Sequence, residues 1–434
     1  MERKIYKKLL EWKSSSYRKP LVLEGARQVG KSWILKEFGR REYKYMAYIS
    51  CDSEPLAEDL FRDYDVDRMV RSIEAITNVP VKAEETLIVL DEIQEAPRGL
   101  SALKYFYEER PRYHIAIAGS LLGIALHSGT SFPVGKVDFL KMYPMDFEEF
   151  LLAKGETMIA SAIARKDEPV LRSVHGKCVD LLRQYYYVGG MPEAVSMYCT
   201  DGSVIEVRKI QKAIVEAYRN DISKHAPLRE IERIQLVLRT LPAQLARENK
   251  KFVYSAVRPG ARASDFEVAI QWLVDAGIVN KVVRCASPKI PLAFYEDFNA
   301  FKLYLLDCGL FGAMVEADAA DVLMGSDIFQ EYKGAFSELY VLQQLLVDLS
   351  DKVYYFTADN SRIEIDYLVS VKSKVIPLEV KAEGNVKGKS LKLFVEKNDL
   401  PYGIRLSMLP YEEQTRLVNI PLYAAHALKT WLPS

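Results

Sequence analysis

A short apolar segment that runs into a glycine-bounded loop constrains the fold of this chain more than any other feature. Residues 20–24 read as a buried strand, and the loop after them has the sequence Gly25-Ala26-Arg27-Gln28-Val29-Gly30-Lys31-Ser32. A G-x-x-x-x-G-K-S sequence between a strand and a helix is typical of a loop whose backbone N–H groups surround phosphates. We therefore predict a strand, a phosphate-binding loop (P-loop) and a helix over residues 33–38.

The residue types in this loop predict how a nucleotide would be held. Lys31 would reach the β- and γ-phosphates as a point charge, and the hydroxyl of Ser32 would be a ligand of Mg²⁺. The positive end of the following helix would face the same anion. The predicted cofactors are ATP and Mg²⁺, and the residues predicted to bind the nucleotide are Gly25, Arg27, Gln28, Val29, Gly30, Lys31, Ser32, Trp33 and Ser120.

A second apolar run, residues 86–90, ends in the carboxylates Asp91 and Glu92. An unbroken run of this kind fits a central parallel strand that is covered on both faces, and its carboxyl end would lie beside a ligand crevice. We predict that Asp91 holds Mg²⁺ and that Glu92 orients and deprotonates the attacking water. A P-loop transferase is a different possibility, but the tandem Asp91-Glu92 favours activation of water over activation of an acceptor substrate.

Three further segments, residues 45–49, 114–118 and 136–143, predict strands of the same sheet. The first lies between the two nucleotide motifs, and the second is followed by the small polar residue Ser120. This order is the layout of the AAA+ ATPases, in which a residue at the position of Ser120 senses the γ-phosphate. A turn residue at the end of a strand is an equally compatible interpretation of Ser120.

By these motifs the chain resembles a prokaryotic family of AAA-type ATPases that carry a C-terminal region of unknown function. The resemblance covers nearly the whole chain and rests on residues 25–32, 90–94, 118–120, 143–150, 189–193, 304–310, 364–367 and 377–381. Such proteins usually have Gly-Arg shortly before the motif over residues 143–150, whereas this chain has Gly135-Lys136. If that Arg completes a nucleotide site, Lys136 keeps the charge and loses the planar fork, and Arg27 is another candidate cation.

The middle of the chain predicts two different segments between the ATPase core, residues 1–155, and the C-terminal region. Residues 156–250 read as a helical lid, with helical spacing from Gly176 to Asn249, and residues 251–325 as a winged-helix-like module and connector. In that module a helix over residues 266–276 ends at Gly277 and is followed by a strand over residues 278–283. Contact with DNA phosphates through Arg258, Arg262 and Lys281 is one interpretation, and interdomain packing is the other. The balance of 59 basic against 59 acidic residues favours packing.

The C-terminal segment, residues 326–434, contains a predicted helix over residues 331–349, strands over 353–357, 362–371, 374–381 and 403–406, and a helix over 387–396. Its order of Glu338, Asp366, Glu379 and Lys381 resembles the PD-(D/E)xK nuclease fold. Strand alternation places Glu379 and Lys381 on one face. We predict that Asp366 and Glu379 bind Mg²⁺ and that Lys381 stabilises the nucleophilic water. A tail that keeps the fold without the chemistry is the alternative.

The predicted fold class is α/β, with a parallel-sheet P-loop AAA+ core, a helical lid, a winged-helix-like module and a C-terminal restriction-endonuclease-like domain. The predicted catalytic residues are Glu92, Lys31, Asp366, Glu379 and Lys381, and the predicted metal ligands are Ser32, Asp91, Asp366 and Glu379. The predicted function is a Mg²⁺-dependent ATPase whose tail acts on or binds nucleic acid; a regulatory or scaffold ATPase with an inactive, protein-binding tail is the alternative.

ATP and ADP are the predicted ligands, DNA is a candidate partner of the tail, and a homo-oligomer is a further candidate. The five cysteines form no C-x-x-C pair, and no apolar run approaches the ~20 residues of a membrane span. We therefore expect a cytoplasmic protein without a membrane partner.

Overall fold

The chain divides into two compact units, each built around one β-sheet. The computed structural model describes residues 1–53, 57–127, 135–247, 250–325, 330–349, 352–358, 363–382 and 389–433. The amino-terminal unit consists of Glu2–Tyr143 together with the short segment Trp272–Ile278. The carboxy-terminal unit consists of Met1, Pro144–Gln271 and Val279–Ser434. Within the described residues, no helix is long and apolar enough to cross a membrane.

The amino-terminal unit contains a five-stranded parallel sheet with the strand order β2-β3-β4-β1-β5. The strands are β1 Leu21–Glu24, β2 Tyr45–Ser50, β3 Thr86–Asp91, β4 His114–Ala118 and β5 Asp138–Lys141. Strands β3 and β4 are buried along their whole length, as expected from their unbroken apolar sequences. Because all five strands are parallel, their carboxyl ends lie at one edge of the sheet. The predicted α/β class with a parallel P-loop sheet is confirmed.

Six helices accompany this sheet: α1 Ile5–Ser14, α2 Lys31–Glu42, α3 Ala57–Leu60, α4 Val66–Thr77, α5 Pro97–Glu109 and α6 Leu122–His127. Helix α2 begins at the P-loop lysine and is longer than the predicted helix over residues 33–38. Strand β5 is shorter than the predicted strand over residues 136–143. A hydrophobic cluster joins one face of the sheet to helices α4 and α5, with Ile49, Ile88, Ile117, Met69, Ile73, Leu103 and Phe106 among its members.

The carboxy-terminal unit is helical over most of its first hundred residues, as the periodicity predicts. Its helices are α7 Phe147–Ala153, α8 Thr157–Ala164, α9 Glu168–Ser173, α10 His175–Val188, α11 Pro192–Asp201, α12 Val204–His225, α13 Ile231–Leu245, α14 Tyr254–Val257, α15 Ala263–Asp275, α16 Cys308–Met314, α17 Ala319–Met324, α18 Gln330–Asp348, α19 Lys389–Lys397 and α20 Leu428–Trp431. The last residues of α15 belong to the amino-terminal unit.

The carboxy-terminal unit also contains an eight-stranded mixed sheet with the order β12-β13-β11-β10-β9-β8-β6-β7. Its strands are β6 Val279–Cys285, β7 Glu296–Leu305, β8 Tyr354–Thr357, β9 Glu364–Val371, β10 Lys374–Lys381, β11 Gly403–Ser407, β12 Glu412–Glu413 and β13 Leu417–Pro421. Strand β6 pairs with β8 in parallel and with β7 in an antiparallel arrangement. This sheet therefore contains strands from both the third and the fourth predicted segments, and the division of the chain into four domains remains a prediction.

The restriction-endonuclease-like assignment of the tail also remains a prediction, although the tail does contribute strands to a mixed sheet. Three predicted element ends, at Asn249, Arg362 and Lys387, lie outside the described residues.

Three of the sequence motifs meet around one buried carboxylate of the carboxy-terminal unit. Asp307 precedes α16, and its Oδ1 accepts a hydrogen bond from the backbone N–H of Leu310 at 2.9 Å. Its Oδ2 accepts from the N–H of Gly190 at 2.6 Å and from the side-chain amide of Gln343 at 3.1 Å. A Cβ on Gly190 would lie 2.1 Å from the carbonyl oxygen of Met145, so a side chain at this position would collide with backbone. These motifs therefore build the core of the unit.

Candidate functional site

The P-loop closes tightly over the carboxyl end of β1. Gly25, Gln28 and Gly30 have positive φ angles of 147°, 66° and 99°, and α2 begins directly after Gly30. A Cβ on Gly25 would lie 2.3 Å from the carbonyl oxygen of Met142, so only glycine fits there. A loop with this backbone at the N-terminus of a 12-residue helix is suited to an anion.

The Lys31 side chain lies inside this loop. Its Nζ donates to the carbonyl oxygens of Gly25 and Ala26, both at 2.8 Å, and the residue is only 6% exposed. Burial lowers the pKa of Lys31 to about 8, while the carboxylates of Glu92 and Asp91 act in the opposite direction. The ammonium group is therefore mostly protonated at neutral pH and is placed where a phosphate could replace the two carbonyls.

Asp91 ends β3 as a buried carboxylate with two hydrogen-bond donors. Its Oδ2 accepts from the hydroxyl of Tyr48 on the neighbouring strand at 2.6 Å, and its Oδ1 accepts from the N–H of Glu92 at 3.1 Å. Burial and the hydrogen bond to Asp91 raise the pKa of Tyr48, so this phenol remains a donor. The sequence predicted Asp91 at this edge, but nothing in the local pattern indicated the contact with Tyr48.

The carboxylate of Glu92 is held by three donors on a single oxygen. Its Oε2 accepts from the N–H and the hydroxyl of Ser120, each at 3.0 Å, and from the side-chain amide of Gln94 at 2.6 Å. Burial alone would raise the pKa of Glu92, but the hydrogen bonds from Gln94 and Ser120 and the charge of Lys31 lower it overall. Glu92 is therefore ionised and fixed at the sheet edge that carries the P-loop.

Gln94 is a residue that the sequence analysis missed as part of this site. A Cβ on Gly119 would lie 2.1 Å from Oε1 of Gln94, so the glycine before Ser120 leaves the space that the amide group occupies. The signal was present in the motif over residues 90–94, which includes Gln94. The spacing of that motif did not show that Gln94 turns back toward Glu92.

The remaining predicted nucleotide residues lie on the loop and the first turn of α2. Val29 is buried, Ser32 is partly buried, and Arg27 and Gln28 are exposed. Trp33 is 46% exposed. Ser32 and Asp91 carry the hard oxygen donors that Mg²⁺ prefers, so these residues fit the predicted ion. The structure places Ser32 beside Lys31 on α2 and Asp91 at the end of β3.

Lys136, one of the two candidate cations that the sequence left open, lies away from the P-loop of its own chain. Its ammonium group lies 3.2 Å from the carboxylate of Glu108, and the residue precedes β5. Asp138 pairs with Leu21 and Lys141 with Glu24, so Lys136 lies at the amino edge of the parallel sheet. The P-loop lies at the opposite edge, on the order of 15 Å away along the strands. Arg27 is the candidate cation that remains close to the phosphates.

In the carboxy-terminal unit, Asp366, Glu379 and Lys381 lie together on strands β9 and β10. The Oδ2 of Asp366 accepts a hydrogen bond from the N–H of Val380 at 2.7 Å, and Lys381 Nζ lies 3.1 Å from Oε1 of Glu379. Glu379 is 5% exposed, and within the described residues its Oε2 is buried without a hydrogen-bond partner. Because an unpartnered buried carboxylate oxygen is costly, this atom fits a bound cation.

Glu338 does not present a free carboxylate to this group. Its two oxygens accept from the ammonium group of Lys250 and, at 3.0 Å, from the hydroxyl of Tyr304. Burial would raise the pKa of Glu338, but Lys250 and Lys302 lower it overall. Burial and the charge of Glu338 raise the pKa of the neighbouring Asp366. In the part of the chain that the structure describes, no three His, Cys, Asp or Glu residues are arranged to hold a metal ion. The predicted metal site therefore consists of two carboxylates.

The basic residues of the predicted winged-helix-like module are partly used within their own fold. Lys281 is exposed along β6, but its Nζ lies 4.5 Å from the ring centroid of Phe301. Burial lowers the pKa of this lysine. The guanidinium of Arg258 lies 6.0 Å from the ring centroid of Phe266, whereas Arg262 is exposed. These contacts fit the packing interpretation better than the DNA-contact interpretation.

Family models match three consecutive parts of the chain. Residues 17–151 match the model described as AAA domain. The match contains the P-loop, Asp91, Glu92 and Ser120, and it supports an AAA-type ATPase. Two further models, described as Domain of unknown function (DUF8612) and Domain of unknown function (DUF4143), match residues 179–321 and 333–424.

Solved structures resemble the AAA domain and the regions after it only at low identity. A Walker-type ATPase of Pyrococcus abyssi is 15% identical with a TM-score of 0.47, and the match covers 72% of this chain and 95% of that one. The Orc1 protein of Aeropyrum pernix, solved in complex with DNA, is 13% identical with a TM-score of 0.30, with coverage of 73% and 91%. Cdc6p of Pyrobaculum aerophilum is 14% identical with a TM-score of 0.24 and the same coverage. No curated protein matches the chain.

Proposed function

We propose that this protein binds ATP with Mg²⁺ at the P-loop and hydrolyses it with Glu92 as the residue that activates water. The observation that carries the proposal is the ionised carboxylate of Glu92, which Ser120 and Gln94 hold at the sheet edge where the P-loop also lies. A water-activating carboxylate must be deprotonated and fixed in position, and Glu92 meets both requirements.

Each residue of the site has a separate role in this proposal. Lys31 leaves the carbonyls of Gly25 and Ala26 and binds the β- and γ-phosphates, and backbone N–H groups of the loop surround the same phosphates. Ser32 and Asp91 would hold Mg²⁺, which would neutralise charge on the phosphates. Glu92 accepts the proton of the attacking water. The hydrogen bonds from Ser120 and Gln94 go to Oε2, so we assign the role of proton acceptor to Oε1.

Two variants test this function because they separate binding from turnover. Lys31→Ala removes the buried ammonium, so we expect no measurable binding of a fluorescent ADP analogue. Glu92→Gln keeps the shape of the side chain and loses the base, so it should bind ATP normally while turnover falls by at least ~100-fold. The exposed Lys7→Ala serves as the matched control for loss of a positive charge. Turnover that survives in Glu92→Gln would remove Glu92 from its assigned role.

We further propose that Asp366, Glu379 and Lys381 form a metal-dependent site for a phosphodiester of nucleic acid. The specific observation is the buried Oε2 of Glu379, which has no partner among the described residues, on a strand whose next residue, Val380, donates its N–H to the carboxylate of Asp366. Mg²⁺ is often bound by one or two carboxylates together with phosphate oxygens, so two carboxylates suffice when the substrate supplies the rest. Lys381 would then stabilise negative charge at the attacked phosphate.

Metal binding and cleavage should be measured separately in this unit. We expect Mn²⁺ to bind in a manner visible by EPR, and labelled single- and double-stranded DNA to be cleaved with Mg²⁺ and left intact with EDTA. Both signals should be lost in Asp366→Asn and Glu379→Gln and retained in the control Glu412→Gln, an exposed carboxylate on β12 of the same sheet. Metal binding without cleavage would favour the alternative, a nuclease-shaped tail that binds a partner.

A further inference from the structure

Arg3 makes two contacts that none of the motifs indicates. It precedes α1, lies outside the residues matched by the AAA domain model, and is only 9% exposed. Its Nη1 donates to the carbonyl oxygen of Val29 in the P-loop at 2.9 Å, and its Nη2 donates to the carbonyl oxygen of Tyr143 at 2.7 Å. One buried guanidinium therefore bridges the P-loop and the chain just beyond β5.

The contact with Val29 bears directly on phosphate binding. In a trans peptide unit the carbonyl oxygen and the following N–H point in opposite directions. Holding the carbonyl of Val29 toward Arg3 therefore turns the N–H of Gly30 away from Arg3, which fixes one of the loop donors. The planar fork of arginine can hold two carbonyls in a set geometry, which an ammonium group cannot do.

The other end of the P-loop contacts the same part of the chain. The N–H of Met142 donates to the carbonyl oxygen of Glu24 at 2.8 Å, and a Cβ on Gly25 would lie 2.3 Å from the carbonyl oxygen of Met142. The first end of the loop therefore lies against Met142, and the second end is joined to Tyr143 through Arg3. Tyr143 is the last residue of the first segment of the amino-terminal unit, so the chain leaves the unit at the P-loop.

The second segment of the unit, Trp272–Ile278, touches the loop as well. A Cβ on Gly277, whose φ is +71°, would lie 3.2 Å from the backbone nitrogen of Ala26. A Cβ on Gly123 would lie 2.2 Å from the carbonyl oxygen of Asp275. The chain leaves the amino-terminal unit after Tyr143 and again after Ile278. Residues near both of these points lie close to the P-loop.

We propose that Arg3 is a positioning residue of the nucleotide site, which ties the P-loop to residues 142 and 143 and couples phosphate binding to that exit from the unit. This inference rests on the proposed binding of nucleotide at the P-loop. Phosphates that draw the loop N–H groups inward change the peptide unit at Val29, and the guanidinium transmits this change to Tyr143.

The test compares wild type, Arg3→Ala and Arg3→Lys, with Arg18→Ala as the matched control. Arg18 is a partly buried arginine of the same region that donates to the carbonyl oxygen of Lys13 and precedes β1 at the opposite edge of the sheet. Two quantities are measured: the dissociation constant of fluorescent ADP, and the amide hydrogen exchange of the P-loop and of residues 138–143 with and without ADP.

In wild type and Arg18→Ala we expect ADP to slow exchange in both segments. In Arg3→Ala the dissociation constant should increase ~10-fold, ADP should still protect the P-loop, and its protection of residues 138–143 should be lost. Arg3→Lys keeps the charge and one donor direction, so it should fold and give an intermediate dissociation constant and intermediate protection. In Arg3→Ala, addition of millimolar methylguanidine should restore the affinity for ADP.

The proposal would be overturned if Arg3→Lys matched wild type both in its affinity for ADP and in the ADP-dependent protection of residues 138–143. This outcome decides the question even if Arg3→Ala fails to fold. The same conclusion would follow if Arg18→Ala behaved like Arg3→Ala, because the effect would then not be specific to the loop contact. If wild type itself did not bind ADP, the proposed nucleotide function would fail, and this result is distinct from either of the others.

Discussion

Ser120 donates both its backbone N–H and its hydroxyl to the same oxygen of Glu92, each at 3.0 Å. From the sequence, Ser120 occupies the position of a residue that senses the γ-phosphate. In the structure its hydrogen-bonding groups hold the carboxylate that we propose to activate water. The two roles have different kinetic consequences, because one acts on substrate and the other on the base.

The first prediction separates these roles with Ser120→Ala. Loss of the hydroxyl removes one of the hydrogen bonds that lower the pKa of Glu92, so that pKa should rise. We expect kcat to fall ~10-fold with KM for ATP little changed, and the acidic limb of the kcat–pH profile to move to higher pH. The control is Ser101→Ala on α5 of the same unit. An increase in KM without movement of the acidic limb would instead indicate contact with the γ-phosphate.

The second prediction concerns the packing of Gln94 against Gly119. A Cβ at position 119 would lie 2.1 Å from Oε1 of Gln94, so Gly119→Ala should displace the amide from Glu92. Gly119→Ala and Gln94→Ala should then reduce kcat by a similar factor, and the double variant should be no worse than either single one. Steady-state kinetics on the four proteins give the coupling, and additive losses would show that the two positions act independently.

These contacts show which parts of the site local sequence can and cannot predict. The loop over residues 25–32, the acidic end of β3 and the burial of β3 and β4 follow from spacing and unbroken apolar runs, which are local properties. The bridge from Arg3 to Tyr143 spans 140 positions and the pair of Lys250 with Glu338 spans 88. Such pairings depend on how the chain closes in three dimensions, so no window of sequence contains them.

The sheet of the carboxy-terminal unit makes the same point at a larger scale. The sequence indicates β6, β9 and β10 as strands, yet β6 pairs in parallel with β8, about seventy residues later, by the register Val283 to Tyr354. Parallel pairing needs a long crossover and leaves no turn signature. The position of Lys136 makes a similar point, because the sequence shows its charge, whereas its place at the amino edge of the sheet follows only from the register of β5 with β1.

The third prediction uses the pKa of Lys31, which burial lowers to about 8. Only the protonated amine attracts phosphate, so bound nucleotide raises the pKa of Lys31 from this lowered value, and the affinity is complete below pH 8 and is lost as the pH rises. We expect the dissociation constant of ADP to increase ~10-fold per pH unit above that value. Calorimetric titrations from about pH 7 to about pH 10 would measure it. Lys31→Arg cannot lose its proton in this range, so its weaker affinity should not vary with pH.

The fourth prediction decides whether Glu338 belongs to the chemistry of the carboxy-terminal unit or to its stability. Its carboxylate is paired with Lys250 in a buried setting where both side chains are only 10% exposed. Lys250→Met leaves that negative charge poorly compensated, although Lys302 is also nearby, and should cost ~3 kcal/mol of the free energy of unfolding. Adding Glu338→Gln should recover part of this loss, because the amide carries no charge.

Urea unfolding of the carboxy-terminal unit measures these costs, and Mn²⁺ binding and DNA cleavage measure the chemistry in the same variants. Glu338→Gln should leave both chemical signals intact where Asp366→Asn abolishes them, because the hydrogen bonds of Glu338 go to Lys250 and Tyr304. If Glu338→Gln instead abolished metal binding while the protein stayed folded, Glu338 would be a metal ligand. The site would then contain three carboxylates, and the ammonium group of Lys250 would lie where the metal ion binds.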